Sequence, residues 1–99
     1  MKLAAVKNGT SLIVTPEGRI DSGNVQDFEK QLKEAMDGVT TLVLDLSALE
    51  YISSAGLRVL IATQKELEAA DGSMTLLQVN PGVKEILDIT GLSDFLTIL

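Results

Sequence analysis

The sequence contains no cysteine and no histidine among its 99 residues. Without cysteine the chain has no disulfide, no thiolate nucleophile and no zinc–sulfur site. Without histidine it lacks the usual general base and the commonest transition-metal ligand, so a Ser–His–Asp triad is excluded. A hydrolase that depends on a serine activated by histidine is therefore not among the functions that we expect.

Aromatic residues and positive charges are also scarce. One Tyr, two Phe and no Trp predict a core of aliphatic side chains. Lys and Arg number 8 against 14 Asp and Glu, which gives a formal net charge of −6. This balance argues against a nucleic-acid partner, because no cationic surplus is present to displace counterions from phosphates. It also argues against docking on an anionic membrane.

Long hydrophobic runs are missing as well. No stretch approaches the roughly 20 apolar residues that span a bilayer. The first residues, MKLAAVKNG, contain no apolar segment of the kind found in a secretory signal. We therefore expect a cytoplasmic protein whose residues 1–99 form one domain, since this length supports a single hydrophobic core.

The hydrophobic pattern predicts elements in the order β–β–α–β–α–β–α–β. Asn8–Gly9 predicts a hairpin with a type I′ turn, and Pro81 follows Asn80 as expected at the start of a helix that Gly91 ends. Residues 17–24 are predicted as a loop. The predicted strands are 2–7, 11–16, 40–47, 73–79 and 94–99, and the predicted helices begin near residues 24, 54 and 80.

If each successive strand is added on the same side of the sheet, right-handed crossovers between parallel strands place all three predicted helices on one face. The sequence thus predicts a two-layer α/β domain. In it, an N-terminal hairpin leads into a mixed sheet, and a β-α superhelix covers one sheet face with its helices. The opposite face is predicted to be uncovered, and that face or a sheet edge is a candidate for a partner.

The stretch LEYISSAGLRVL, residues 49–60, joins a strand-like run to a helix-like run through two serines. A serine before a helix commonly accepts a hydrogen bond from an unpaired backbone N–H, but one cap needs only one serine. Ala55 and Gly56 add little bulk, so another protein's surface has room to approach. Ligands of open α/β sheets gather at the carboxyl ends of strands, where this turn lies. The serines therefore either cap the helix or offer a hydroxyl to a partner.

Enzyme motifs are incomplete in this chain. YISSAG differs from the G-x-S-x-G nucleophile elbow, and no Gly–Lys pair exists for a phosphate-binding loop. Asp45 ends a strand as a receiver-type phospho-aspartate would, but KLAAV lacks the acidic pair that would hold magnesium. Asp45 is therefore predicted to be a local turn acceptor. We expect no catalytic residue, no metal and no cofactor.

Three segments in order resemble one known family. LVLDLSALEYISSAGLRVL, residues 42–60, resembles the signature of STAS domains, specifically the stand-alone anti-sigma factor antagonists of bacteria. EGRID at 17–21 resembles the family's Gly-x-Leu/Ile-Asp turn, and VNPGVKEILDITGL at 79–92 resembles its Pro-x-Val…Gly-Leu segment. The resemblance covers nearly the whole chain, and it implies a β-α superhelix that serves as a non-enzymatic regulator.

The resemblance also implies a mechanism of partner switching. Such antagonists bind an anti-sigma factor that is a serine kinase, are released when the kinase phosphorylates the serine that begins the second helix, and are restored by a serine phosphatase. The motif places that serine at Ser54. Ser53, which stands where the family most often has Asp, is the second choice. The predicted partner-binding residues are Arg19, Asp21, Ser53, Ser54, Ala55, Gly56 and Arg58.

Several alternatives stay open at this point. The chain is alternatively a STAS module of a lipid-transport or stress-signalling complex, or a nucleotide-binding domain with phosphates at the strand ends. Asp21 either caps the first helix or touches the partner, and Arg19 is either a solvated loop cation or a partner contact. Arg58 pairs either with the kinase or with a phosphate. The oligomeric state is not predicted.

Overall fold

The computed structural model describes residues 1–99. The strands are β1 (Leu3–Asn8), β2 (Ser11–Pro16), β3 (Gly18–Ile20), β4 (Thr41–Asp45), β5 (Leu49–Ile52), β6 (Ser73–Leu77) and β7 (Thr97–Ile98). The helices are α1 (Val25–Ala35), α2 (Ser54–Ala69), α3 (Pro81–Ile89) and the single turn α4 (Leu92–Phe95). None of these helices combines the length and the apolar content that crossing a membrane requires.

Five strands form one mixed sheet in the order β1-β2-β4-β6-β7. β1 and β2 are antiparallel, and every other neighbouring pair is parallel. Each crossover adds its strand on the same side, so right-handed connections keep the helices on one face. Burial alternates accordingly along β4, where Leu42 and Leu44 are buried while Thr41 is exposed. The predicted α/β fold with helices on one face is confirmed.

The core lies between this sheet and the helices. It contains 20 buried hydrophobic residues, of which Phe28 is the only aromatic one. The sheet contributes alternate residues such as Leu12 and Val14, and α2 contributes residues two turns apart such as Leu60 and Leu67. The prediction of an aliphatic core is confirmed.

The β1–β2 turn differs from the prediction. Asn8 pairs with Ser11, so the two loop residues are Gly9 and Thr10 rather than Asn8 and Gly9. Gly9 has φ +62°, and neither Asn8 nor Thr10 has a positive φ. A positive φ at the first loop position alone is typical of a type II′ turn, which favours Gly there. The predicted type I′ turn is wrong because β1 continues through Asn8.

Two short strands and one helical turn have no counterpart in the predicted element order. β3 lies within residues 17–24, which were expected to be a loop, and it pairs in parallel with β5 in a separate two-stranded sheet. At the other end, the strand expected at 94–99 is reduced to Thr97–Ile98, because α4 occupies Leu92–Phe95. Elements this short depend on partners distant in sequence more than on their own hydrophobic pattern.

Helix α3 begins and ends as predicted. The Asn80 side-chain oxygen accepts a hydrogen bond from the Val83 N–H at 2.9 Å, and Pro81 takes the first helical position. Gly91, with φ +79°, follows the last turn. The Asn80 amide also donates to the Leu49 carbonyl, so the start of α3 is tied to β5.

Candidate functional site

The serine turn, residues 53–56, rests on the small β3–β5 sheet. The Ser53 N–H donates to the Ile20 carbonyl at 2.8 Å, which joins the end of β5 to the end of β3. In a second backbone hydrogen bond, the Gly18 N–H donates to the Ala48 carbonyl at 2.9 Å, which joins the beginning of β3 to the residue before β5. Two segments that are about 30 residues apart in sequence therefore form the base of the turn.

Ser53 is the N-cap of α2. Its backbone is extended, with φ −83° and ψ 170°, and its hydroxyl accepts from the Gly56 N–H at 3.3 Å. Its carbonyl accepts from the Leu57 N–H at 2.9 Å, which begins the helical hydrogen bonds. The side chain is half-buried. Ser53 thus has the local role that an N-cap serine usually has.

Ser54 has a different environment. It is the first residue of α2 and is exposed, and because Ser53 makes the cap, its own hydroxyl is not needed for it. The backbone N–H groups of the first helical turn lack intrahelical partners, and the helix dipole places partial positive charge there. A negative group on Ser54 would be accommodated by the helix N-terminus.

Gly56 allows the start of α2 to lie directly on the small sheet. A Cβ at this position would lie 2.7 Å from Ile52 Cγ1 and 2.8 Å from Ile20 Cγ2, which is too close for carbon atoms. Gly56 is buried in the isolated chain, and its contact with a partner stays a prediction. Its small size serves close packing inside the domain, whereas Ala55 remains half-buried at the surface.

A cleft between α1 and α2 adjoins the turn. It has a volume of about 350 Å³, and Ala55, Arg58, Val25 and Glu29 are among its lining residues. Arg58 is exposed on α2, one helical turn beyond Ser54. It takes part in none of the ion pairs of the chain, and Glu29 is paired with Lys33 instead, at 4.0 Å. The guanidinium of Arg58 is therefore available to an anionic group.

Arg19 is held on the surface of the same region by Tyr51. The guanidinium carbon of Arg19 lies 4.4 Å from the centre of the Tyr51 ring, in a cation–π contact. The two residues are register partners in the β3–β5 pair. Arg19 is thus an exposed but positioned cation. Tyr51 is absent from the predicted site, and its place two residues before Ser53 in a predicted strand-like run was the available signal.

Asp21 stabilises the loop before α1. Its carboxylate accepts from the Gly23 N–H at 2.9 Å, and its own N–H donates to the Asn24 side chain at 2.9 Å. Asn24 also donates to the Arg19 carbonyl at 2.7 Å. Asn24 occupies the N-cap position of α1, but its side chain makes no cap hydrogen bond and secures the loop instead. The Asp21 carboxylate thus bonds within the loop and does not cap α1, and its contact with a partner stays a prediction.

Asp45 bonds locally, as predicted. Its carboxylate accepts from the Ser47 N–H at 3.0 Å, which closes a tight turn at the end of β4. The half-buried carboxylate is thereby hydrogen-bonded to the backbone. This arrangement confirms the prediction of a local turn acceptor.

Two carboxylates elsewhere have lowered pKa values. Hydrogen bonds from the N-terminal ammonium of Met1 and from Gln31 lower the pKa of Asp27. Hydrogen bonds from Lys84 and Ser93 lower the pKa of Asp88, which links α3 to α4. Both groups lie outside the serine turn, so they bear on stability and not on the site.

Comparison with known proteins agrees with this architecture. The sequence profile of the STAS domain matches residues 2–99. BtrV of Bordetella bronchiseptica, named as an anti-sigma factor antagonist, is 39% identical over 92 residues, which cover 92% of this chain and 79% of BtrV. The anti-sigma F factor antagonist of Paenibacillus polymyxa is 32% identical over 89 residues, which cover 88% of this chain and 76% of that protein.

Solved structures of SpoIIAA share the fold. Unphosphorylated SpoIIAA, an anti-sigma factor antagonist, superposes with a TM-score of 0.84 at 21% identity, covering 99% of this chain and 88% of SpoIIAA. The phosphorylated form of SpoIIAA from Bacillus gives a TM-score of 0.76 at 20% identity, covering 99% and 91%. The profile match across almost the full length and the 39% identical relative show that the chain belongs to the STAS domain family.

Proposed function

We propose that this protein is an anti-sigma factor antagonist that acts by partner switching. In its unphosphorylated form it binds an anti-sigma factor with serine-kinase activity, and phosphorylation of Ser54 releases it. A serine phosphatase restores the binding form. Two sequence relatives named as anti-sigma factor antagonists support the first step, and the existence of SpoIIAA in a phosphorylated form supports the second. The chain itself is a ligand and a substrate of enzymes in this scheme, not a catalyst.

The observation that carries the proposal is the difference between the two serines. Ser53 holds the Gly56 N–H and is half-buried, whereas Ser54 is exposed in the first turn of α2. A kinase therefore reaches Ser54 without breaking the cap. A phosphate on Ser53 would first have to displace the cap hydrogen bond from the Gly56 N–H to the Ser53 hydroxyl.

The surface around Ser54 supplies the remaining contacts of the proposed interface. Ala55 and Arg58 line the cleft beside it, and Arg19 is positioned on the neighbouring small sheet. Asp21 contributes through the loop that carries Arg19, since Asn24 connects the two. Small and cationic side chains thus surround an exposed hydroxyl, an arrangement that suits close contact with an acidic partner surface.

Electrostatics explains why phosphorylation releases the partner without unfolding the domain. A phosphate adds about −1.5 to −2 charges and three strong acceptor oxygens. Within the chain the helix N-terminus stabilises it. Across a tight interface the same group is bulky, solvated and repelled by the partner's acidic groups, so the complex weakens while the fold persists.

Mass spectrometry after incubation with the cognate kinase and ATP tests the site. We expect a single phosphate on Ser54, no phosphate on the Ser54→Ala variant, and continued phosphorylation of the Ser53→Ala variant. A phosphate on Ser53 of the unaltered protein, or undiminished labelling of Ser54→Ala, would contradict the assignment.

Titration calorimetry with the anti-sigma factor tests the mechanism. Ser54→Asp should weaken binding at least roughly tenfold, or about 1.4 kcal/mol, while Ser54→Ala should bind like the unaltered protein. Thr40→Asp is a matched control, because it adds the same charge at an exposed hydroxyl residue just before β4, at the opposite end of the sheet. Unchanged affinity of Ser54→Asp would rule out charge repulsion.

A further inference from the structure

The sheet face opposite the helices carries an unbroken row of side chains across all five strands. The register pairs Val6 with Ile13, Ile13 with Val43, Val43 with Thr75, and Thr75 with Thr97. Val6 is 65% exposed and Ile13 is 47% exposed, although both are large apolar residues. Such residues in one row form a surface that stays incompletely covered in the isolated chain.

Charged side chains are almost absent from this face. Asp45 is the only charged residue at an outward strand position, and the Ser47 N–H already engages it. Lys7 belongs to the helix-covered face, where its ammonium donates to the Asp37 carbonyl. We define the open face as the uncharged outward strand residues Ala4, Val6, Asn8, Ser11, Ile13, Thr15, Thr41, Val43, Ser73, Thr75, Leu77 and Thr97.

We propose that the open face is a self-association surface on which a second copy of the chain packs sheet against sheet. The chain has a net charge of −6, so two copies repel each other over most of their surfaces. The open face is where that repulsion is smallest. An acidic chain attracts basic partners through its carboxylates, but the open face carries no row of carboxylates that would bind such a partner.

Self-complementarity favours a second copy over another partner. A twofold axis brings the same patch of both copies together, and sheets stack with their faces about 10 Å apart. Each threonine or serine hydroxyl both donates and accepts a hydrogen bond. The hydroxyl groups of one copy can therefore bond to the same hydroxyl groups of the other copy. The apolar residues Val6, Ile13 and Val43 supply the hydrophobic part of the same contact.

The size of the open face predicts a weak dimer. Five strands about 4.8 Å apart, each with about five residues at 3.3 Å, give a footprint of roughly 300 Å² per copy. Standard interfaces bury about 800 Å² per partner. We therefore expect a dissociation constant on the order of 100 µM. The helices and the serine turn lie on the other side, so the dimer leaves Ser54 accessible.

Sedimentation velocity between about 10 µM and 1 mM tests the dimer, because this range spans the expected dissociation constant. The weight-average sedimentation coefficient should rise with concentration, and added salt should strengthen association by screening like charges. Amide chemical shifts should change on dilution along the open face. A monomer throughout this range, a dimer that salt weakens, or shift changes centred on α3 would each overturn the proposal.

Two lysine variants locate the contact. Ile13→Lys places a charge in the middle of the open face and should abolish association. Ile89→Lys is the matched control, since Ile89 is 77% exposed on α3. This variant should dimerise like the unaltered chain. Thermal unfolding followed by circular dichroism verifies that both variants fold. Dimerisation of Ile13→Lys at unchanged strength, or loss of dimer only in Ile89→Lys, would assign the contact to another surface.

Discussion

Ser53 and Ser54 are neighbours in sequence, yet their side chains have separate tasks. Ser53 has extended backbone dihedrals and accepts the Gly56 N–H, so it belongs to the structure of the turn. Ser54 already has helical backbone and is exposed. In the proposed function this separation matters, because a modified Ser54 leaves the cap of α2 unchanged.

Substitution of Ser53 tests the cap directly. Ser53→Ala removes the acceptor of the Gly56 N–H and should lower the free energy of unfolding by about 1 kcal/mol. Ser53→Asp should unfold like the unaltered protein, because Asp caps equally well and suits the helix dipole. Urea unfolding at pH 7 measures these differences.

Ser54→Ala serves as the control and should change stability by less than about 0.5 kcal/mol, as exposed substitutions usually do. If Ser54→Ala were the more destabilising change, the assignment of the cap to Ser53 would be wrong.

The sequence predicts the serine turn but not the roles of its two serines. Both precede the helical pattern, and the choice depends on the backbone dihedrals at Ser53, which the residue types alone do not determine. The position of the Arg19 side chain was not predictable from the sequence either, because Tyr51, which holds it, lies 32 residues further along the chain. Asp45 was predictable, since its partner Ser47 is only two residues away.

At the scale of elements, the contact between α2 and the small sheet depends on Gly56. Alanine is favoured over glycine in a helix by about 1 kcal/mol, but a Cβ here would lie 2.7 Å from Ile52 and 2.8 Å from Ile20. Overpacking of this kind usually costs about 1–3 kcal/mol, so Gly56→Ala should be destabilising overall. Urea and thermal unfolding measure the change.

Gly82→Ala is the control for this prediction. Gly82 is exposed in α3, and the nearest atom to its added Cβ is the Asn80 side-chain oxygen at 3.4 Å. This variant should be as stable as the unaltered protein or up to about 1 kcal/mol more stable. A Gly56→Ala variant that matched it would show that α2 tolerates the added methyl group.

The junction of α3 and α4 should respond to pH through Asp88. Hydrogen bonds from Lys84 and Ser93 lower the pKa of Asp88 in the folded protein. The folded state therefore binds this proton less tightly than the unfolded state, so the stabilisation is present above the ordinary pKa of an aspartate and is lost as the pH falls through the folded pKa. Asp88→Asn should be less stable than the unaltered protein at pH 7.

The same difference should shrink near pH 3, where both states increasingly bind the proton. Urea unfolding at the two pH values measures it. Lys33→Gln, which removes the exposed ion pair to Glu29 on α1, is a control that leaves the Asp88 contacts intact. A destabilisation by Asp88→Asn that was equal at both pH values would contradict the proposed origin in the charged carboxylate.

Short elements mark the limit of prediction at this scale. Helices α1, α2 and α3 each have a periodic apolar face, and Asn80 with Pro81 defines the start of α3 from local sequence. β3 and β5 have three and four residues and exist because they pair with each other. The turn α4 similarly depends on its packing against α3 and β7.

At the scale of the whole molecule, the topology follows from few rules. If each strand is added on the same side of the sheet, as the order β1-β2-β4-β6-β7 has it, the handedness of crossovers predicts the single helical layer. What these rules omit is the second, two-stranded sheet, since it requires two distant segments to meet. The base of the candidate site was therefore the least predictable part of the fold.

The two sides of the molecule have separate proposed uses. The helical side carries Ser54 and the cleft beside it, while the open face lies on the opposite side of the sheet. A dimer through the open face would present two serine turns at once. The partner would then encounter a bivalent ligand, whose second contact forms at raised effective concentration.

In the proposed function, the helical setting of Ser54 also determines how an enzyme would recognise it. Enzymes that recognise a linear motif bind their substrate as an extended segment, whereas Ser54 lies in the first turn of α2 and its surroundings come from β3, β5 and α1. An enzyme acting on Ser54 must recognise a shape assembled from these segments. An unfolded copy would lack that shape, so only folded molecules would be phosphorylated. The amount of phosphorylated protein would therefore depend on how much of the protein is folded.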